Sequence, residues 1–103
     1  MAIGLNQPSD WAVLARRANY STAALATLCG ISVRQLERRF AREIGESPEQ
    51  WLNMLRANDG MKLLQEGGAV KEVALSLGYE HPECFSRDFK KIFDVSPSSV
   101  RSG

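Results

Sequence analysis

The chain has 103 residues, 44% hydrophobic and 24% charged, with Lys+Arg 13 against Asp+Glu 12 and a net charge of +1. That length holds one compact domain or two very small subdomains, and the apolar share excludes a wholly disordered chain. No run approaches the ~20 apolar residues of a membrane span, the opening Met1 to Leu5 is too short for a signal-peptide core, and two cysteines 55 positions apart exclude a disulfide scaffold and suit a reducing cytosol.

Turn and capping signals cut the chain into pieces of helical periodicity. Pro8-Ser9-Asp10 offers caps ahead of a stripe formed by Trp11, Leu14, Ala15 and Ala18. Ser21 caps a second helix reaching Cys29, which Gly30 stops. Ser32 caps a third, with Val33, Leu36, Phe40 and Ile44 as its buried line and Gly45 at its end. Ser47-Pro48, a cap followed by proline at the first helical position, opens the longest helix, which runs to about Gln65 before Gly67-Gly68. Trp51, Leu52, Met54, Leu55, Met61 and Leu64 supply its apolar contacts, and Gly60 within it costs about 1 kcal/mol relative to alanine if exposed. A fifth helix covers about Val70 to Leu77 and stops at Gly78. A sixth starts near His81-Pro82 and carries Phe85, Phe89, Ile92 and Phe93. Ser96-Pro97 begins a last turn. No segment alternates as a strand would, so the expected fold is all-α with about seven helices.

The chain repeats itself. Leu25 to Gly30 aligns with Val73 to Gly78 at an offset of 48, and Leu36 to Phe40 aligns with Phe85 to Phe89 at an offset of 49, which Ser47-Pro48 and Ser96-Pro97 keep. Each unit is a helix, a glycine-ended turn and a second helix. A small residue (Ala26, Ala74) permits close approach of a crossing helix. Glycine four positions on (Gly30, Gly78) supplies the positive φ that reverses the chain, and a large apolar residue (Leu36, Phe85) fills the space between the helices. This is the sequence form of a helix-turn-helix, whose second helix can enter a DNA major groove. Two copies in register are far more specific than one.

With these residues in view, the chain resembles the DNA-binding domain of the AraC/XylS family of bacterial transcription regulators, two helix-turn-helix subdomains on a shared linker helix. The resemblance is strongest over Val73 to Tyr79, Phe85 to Phe93 and Ser96-Pro97, and it extends from about Trp11 to Arg101. It implies a first subdomain at 9–46, a linker helix at 47–66 and a second subdomain at 67–103. Departures from the family pattern are Asp94 in place of glycine, Gly60 in place of alanine and Val100 in place of an aromatic residue.

The recognition helices are expected at about 33–44 and 82–93. Opposite Leu36 and Phe40 lie Arg34, Glu37, Arg38 and Arg42, and opposite Phe85 and Phe89 lie Glu83, Ser86, Arg87 and Lys90, with Lys91 beside them. Arg38 and Arg87 coincide under the repeat, and an arginine there can present a fork to guanine O6 and N7. Together with the family resemblance, this assigns Arg34, Glu37, Arg38, Glu83, Ser86 and Arg87 to base reading. Arg39, Arg42, Lys90, Lys91 and His81 are assigned to phosphates, with His81 also a candidate helix cap. Glu83, four residues before Arg87, either orients that arginine or accepts from a cytosine amino group.

Charge is segregated in the same sense. From Ser32 to Arg42 the local balance is +3, from Phe85 to Phe93 it is +2, and from Glu46 to Glu72 it is −2. A linker of roughly 18 residues spans about 27 Å, so recognition helices about 34 Å apart, one turn of DNA, are feasible.

The expected function is therefore sequence-specific binding of double-stranded DNA in the bacterial cytoplasm by a monomeric domain. The open alternative is a helical protein-interaction module that touches RNA polymerase or a partner regulator. Neither a catalytic constellation nor a metal site nor a cofactor is implied, since one histidine and two scattered cysteines do not form a ligand set. Trp11 and Trp51 are expected as core anchors and Cys29 as an apolar filler. The length leaves no room for an effector domain, and any dimerisation would fall to a domain this chain lacks.

Overall fold

The computed structural model describes residues 8–100, which form seven helices and no strand. They divide into two compact units, one ending at Asn53 and the other beginning at Met54.

The first unit contains α1 (Pro8–Arg17), α2 (Thr22–Cys29), α3 (Val33–Glu43) and the first part of α4 (Pro48–Gln65). α1 starts at Pro8, earlier than the cap signal suggests, because proline lacks only an N–H that the first turn does not use. Ser21 caps α2 by accepting from the Ala24 N–H at 3.2 Å. Ser32 and Gln35 form a reciprocal capping box on α3, at 3.1 Å from the Gln35 N–H to Ser32 and 2.9 Å from the Ser32 N–H back to Gln35. Gly30 takes φ 72°, and the following N–H of Ile31 bonds the Ala26 carbonyl, so the turn closes on the α2 end. Trp11, Leu14, Leu25, Ala26, Leu36, Phe40 and Leu52 are buried. The ring of Phe40 is edge-on to Trp11 at 4.6 Å and to Trp51 at 5.5 Å. Each such fully buried side chain contributes about 1.5–3 kcal/mol.

The second unit takes the rest of α4 together with α5 (Val70–Ser76), α6 (Pro82–Phe93) and α7 (Pro97–Val100). Gly78 repeats the Gly30 turn at φ 91°, with the Tyr79 N–H bonded to the Ala74 carbonyl. Phe85 and Phe89 are buried, and Tyr79, Phe85, Phe89 and Phe93 form a chain of ring contacts between 4.7 and 5.6 Å.

Several expectations need correction. Val33, expected in the buried line of α3, is exposed because it opens the helix at its first position, and Ile44 is only half-buried. Gly60 is buried rather than a weak exposed position: a Cβ there would lie 2.9 Å from Phe85 Cε1 and 3.0 Å from Leu77 Cδ1. The missing side chain is what admits the Phe85 ring against α4. Met54 is exposed, because it falls off the apolar side of that helix. Cys29 and Trp51 are half-buried, each sitting at the edge of the core rather than inside it.

Candidate nucleic-acid interface

α3 and α6 are each the second helix of a helix–turn–helix, and each buries one side only. On α3, Leu36 and Phe40 are buried while Arg34, Glu37, Arg38 and Arg42 are exposed. On α6, Phe85 and Phe89 are buried while Glu83, Arg87, Lys90 and Lys91 are exposed and Ser86 is half-buried. The periodicity that packs the helix therefore sets which charges are left for solvent or a ligand.

Arg39 is placed differently from its neighbours. Its Nε donates to Glu43 Oε2 at 2.8 Å, and its guanidinium lies over the Trp11 ring at 5.9 Å. It is a half-buried lid on the first core, already engaged within the unit. Beneath the same surface, burial pushes the Cys29 thiol pKa up, and Arg39 opposes that rise. His81 occupies the N-cap position of α6 but makes no side-chain capping bond, and its ring is exposed.

On α6, Arg87, Lys90 and Lys91 line an open depression of about 560 Å³ together with Asp88. It gathers three of the expected DNA-facing cations on one helix.

Two residues that the sequence alone did not single out complete this side of the unit. Tyr79 donates its hydroxyl to Asp88 Oδ2 at 3.0 Å, and Asp88 Oδ1 lies 3.9 Å from Arg87 Nε. The Arg56 guanidinium covers the Tyr79 ring at 4.2 Å. Burial first of all, with the Asp88 bond adding to it and Arg56 opposing, pushes the Tyr79 phenol up to about 12, so it remains a donor near neutral pH. No ion pair joins Glu83 to Arg87 among the described residues; the carboxylate beside that arginine is Asp88. The repeat held the signal, since Tyr79 and Asp88 align with Ile31 and Arg39, and both positions change chemistry between the units.

No group of three or more metal-ligating side chains occurs among the described residues, and no helix among them is long and apolar enough to cross a membrane.

Comparison with known proteins points one way. Residues 25–103 match the family described as "Helix-turn-helix domain". The transcriptional regulator MtrA of Neisseria gonorrhoeae is 36% identical over 78 residues, 75% of this chain and 26% of that protein. An AraC-type DNA-binding domain protein from Chromobacterium violaceum superposes with a TM-score of 0.76 at 28% identity, covering 90% of this chain and 87% of that one. The DNA-binding domain of AdpA, solved in complex with a target DNA, superposes with a TM-score of 0.77 at 27% identity, covering 90% and 87%. The chain spans about a quarter to a third of the length of the curated relatives it matches.

Proposed function

This chain belongs to the helix-turn-helix family of AraC-type transcription regulators, and from that premise we propose that it binds duplex DNA sequence-specifically, with α3 and α6 in successive major-groove segments. The observation that carries the reading is the recurrence of one exposed arginine, Arg38 and Arg87, at the same register of both second helices, each opposite a buried apolar pair.

In this reading Arg34, Glu37 and Arg38 meet bases from α3, and Glu83, Ser86 and Arg87 meet them from α6. Arg42, Lys90, Lys91 and His81 neutralise flanking phosphates. Arg39 contributes only if DNA draws it from Glu43. Glu83, unpaired with Arg87, is available to accept from a cytosine amino group. Subdomains at 9–46 and 67–103, spaced by a linker at 47–66, act as a cytoplasmic monomer on an asymmetric site. Any contact with RNA polymerase is additional to that task. The work is binding rather than catalysis.

Selection of duplexes from a random pool, followed by titration of single-base variants, tests the proposal. Two different blocks about 10 bp apart are expected. Arg38→Ala and Arg87→Ala should each lose about 1–3 kcal/mol of discrimination at one base pair, in different blocks. Affinity should fall steeply with salt as counterions are released. Absence of enrichment, or two variants that bind every duplex like the parent, would sink the proposal and favour a protein-interaction role.

A further inference from the structure

Asp88 uses its two carboxylate oxygens for different partners. Oδ2 accepts from the Tyr79 hydroxyl at 3.0 Å, while Oδ1 faces Arg87 Nε at 3.9 Å. The anchor is itself held, because the Tyr79 ring lies under the Arg56 guanidinium at 4.2 Å and against Phe85 at 5.5 Å. Arg87, by contrast, has a side chain 76% exposed.

We infer that Asp88, held by Tyr79, is a positioning residue that sets Arg87 for base recognition in the second unit. The inference rests on the reading that Arg87 meets a base. An arginine has five N–H donors on a planar fork. A carboxylate drawn to Nε leaves the outer edge, Nη1 and Nη2, open to a further acceptor, and that edge can bond guanine in bidentate fashion. A free arginine must lose its rotamer entropy on binding; one biased beforehand loses less. Exclusion of water by DNA lowers the local dielectric and strengthens the Asp88–Arg87 attraction at the moment of recognition.

The carboxylate also explains its own cost. A negative charge beside Lys90 and Lys91 repels phosphates, so Asp88 weakens sequence-independent binding while it sharpens one base pair. The first unit has no such device: Ile31 stands at the place of Tyr79, Arg39 at that of Asp88, and no carboxylate among the described residues pairs with Arg38.

The test uses the full chain and duplexes obtained by selection from a random pool, with every base pair varied singly. Arg87→Ala locates the base pair that Arg87 reads. Tyr79→Phe, which removes the anchor but no charge, is expected to reduce preference at that same base pair about three- to tenfold, leaving the other block and a random-sequence duplex unaffected. Asp88→Asn is expected to lose the same preference and to bind the random duplex more tightly. Tyr79→Phe with full preference at the base pair that Arg87→Ala abolishes would overturn the positioning role and leave the DNA-binding function standing. Uniform weakening at all positions by Tyr79→Phe would overturn it too, because a purely structural role predicts that. Arg87→Ala without effect at any base pair would remove the arginine's role first, and the inference with it.

Discussion

In the first unit, Ser21 and Ser32 each cap a helix through a side-chain bond to a backbone N–H three residues on, and Gly45 reverses the chain at φ 90° after α3. At the matching places in the second unit stand Ala69 and His81, neither of which makes a side-chain cap, and Asp94, which takes φ 62° without being glycine. The second unit compensates through tertiary contacts: the Tyr79–Asp88 bond, Arg56 on the Tyr79 ring, a run of four aromatic rings and the Gly60 notch that admits Phe85. The first repeat thus adds side-chain caps to its packed core, whereas the second relies on what its residues meet after collapse. A helix-turn-helix tolerates either route, since caps and core packing each contribute on the order of 1–3 kcal/mol per site.

The strongest way to break this contrast is at Gly60. Alanine is the better helix former by about 1 kcal/mol, yet a Cβ would press on a packed ring and on Leu77, an overpacking that costs about 1–3 kcal/mol. Gly60→Ala should therefore destabilise the chain by up to about 2 kcal/mol in denaturant titration. Phe85→Leu, which copies the smaller Leu36 of the first unit, should remove that penalty, so that Gly60→Ala becomes neutral or stabilising in its background. A double-mutant cycle with coupling below about 0.5 kcal/mol would show that the notch does not serve the ring.

Gly60 also marks where sequence reasoning stops. The serine caps and Gly30 and Gly78 were legible because each acts on near neighbours in sequence, and the repeat because it recurs at a near-constant offset; those positions adopt the expected geometry. The buried pairs Leu36–Phe40 on α3 and Phe85–Phe89 on α6 were legible for the same reason, whereas Val33, at the first position of α3, lies outside the buried line. Gly60 could not be interpreted without knowing that Phe85, 25 positions away, lies against it. Arg39 looked like one more surface cation because nothing in a helical pattern says that Trp11 passes beneath it. The Tyr79–Asp88 bond crosses a turn at a spacing of nine, outside any helical period. Which charges face outward could be derived from the pattern; which of them are held by a neighbour could not.

A smaller effect should come from exchanging the caps between units. Ser21→Ala removes the acceptor of the Ala24 N–H and should cost about 1 kcal/mol, whereas Ala69→Ser offers α5 the cap it lacks and should gain about 0.5–1 kcal/mol. Ala69 has the extended backbone a capping residue needs, at φ −71° and ψ 141°, so no rearrangement stands in the way. Denaturation midpoints moving in opposite directions are the expected result. Equal losses from both substitutions would mean that the second unit is adapted to an uncapped α5.

Asp94 should give the smallest change. A left-handed residue after a helix is ordinarily glycine because a Cβ crowds the neighbouring carbonyl, and aspartate only reduces that penalty. Its carboxylate also sits at the negative end of the α6 dipole, where a cation would be favoured. Both effects have the same sign, so Asp94→Gly should stabilise the chain by about 0.5–1 kcal/mol, less the greater freedom that glycine gives the unfolded state. In a chain of this size that corresponds to a rise of about 2–6 °C in Tm. The reciprocal Gly45→Asp, at φ 90° with open space around the Cβ, carries the backbone strain without any clash and should lower Tm by a similar amount. If Asp94→Gly leaves Tm unchanged while Gly45→Asp lowers it, Asp94 has a stabilising role of its own at the end of α6, and the second unit has offset the missing glycine locally rather than through its core.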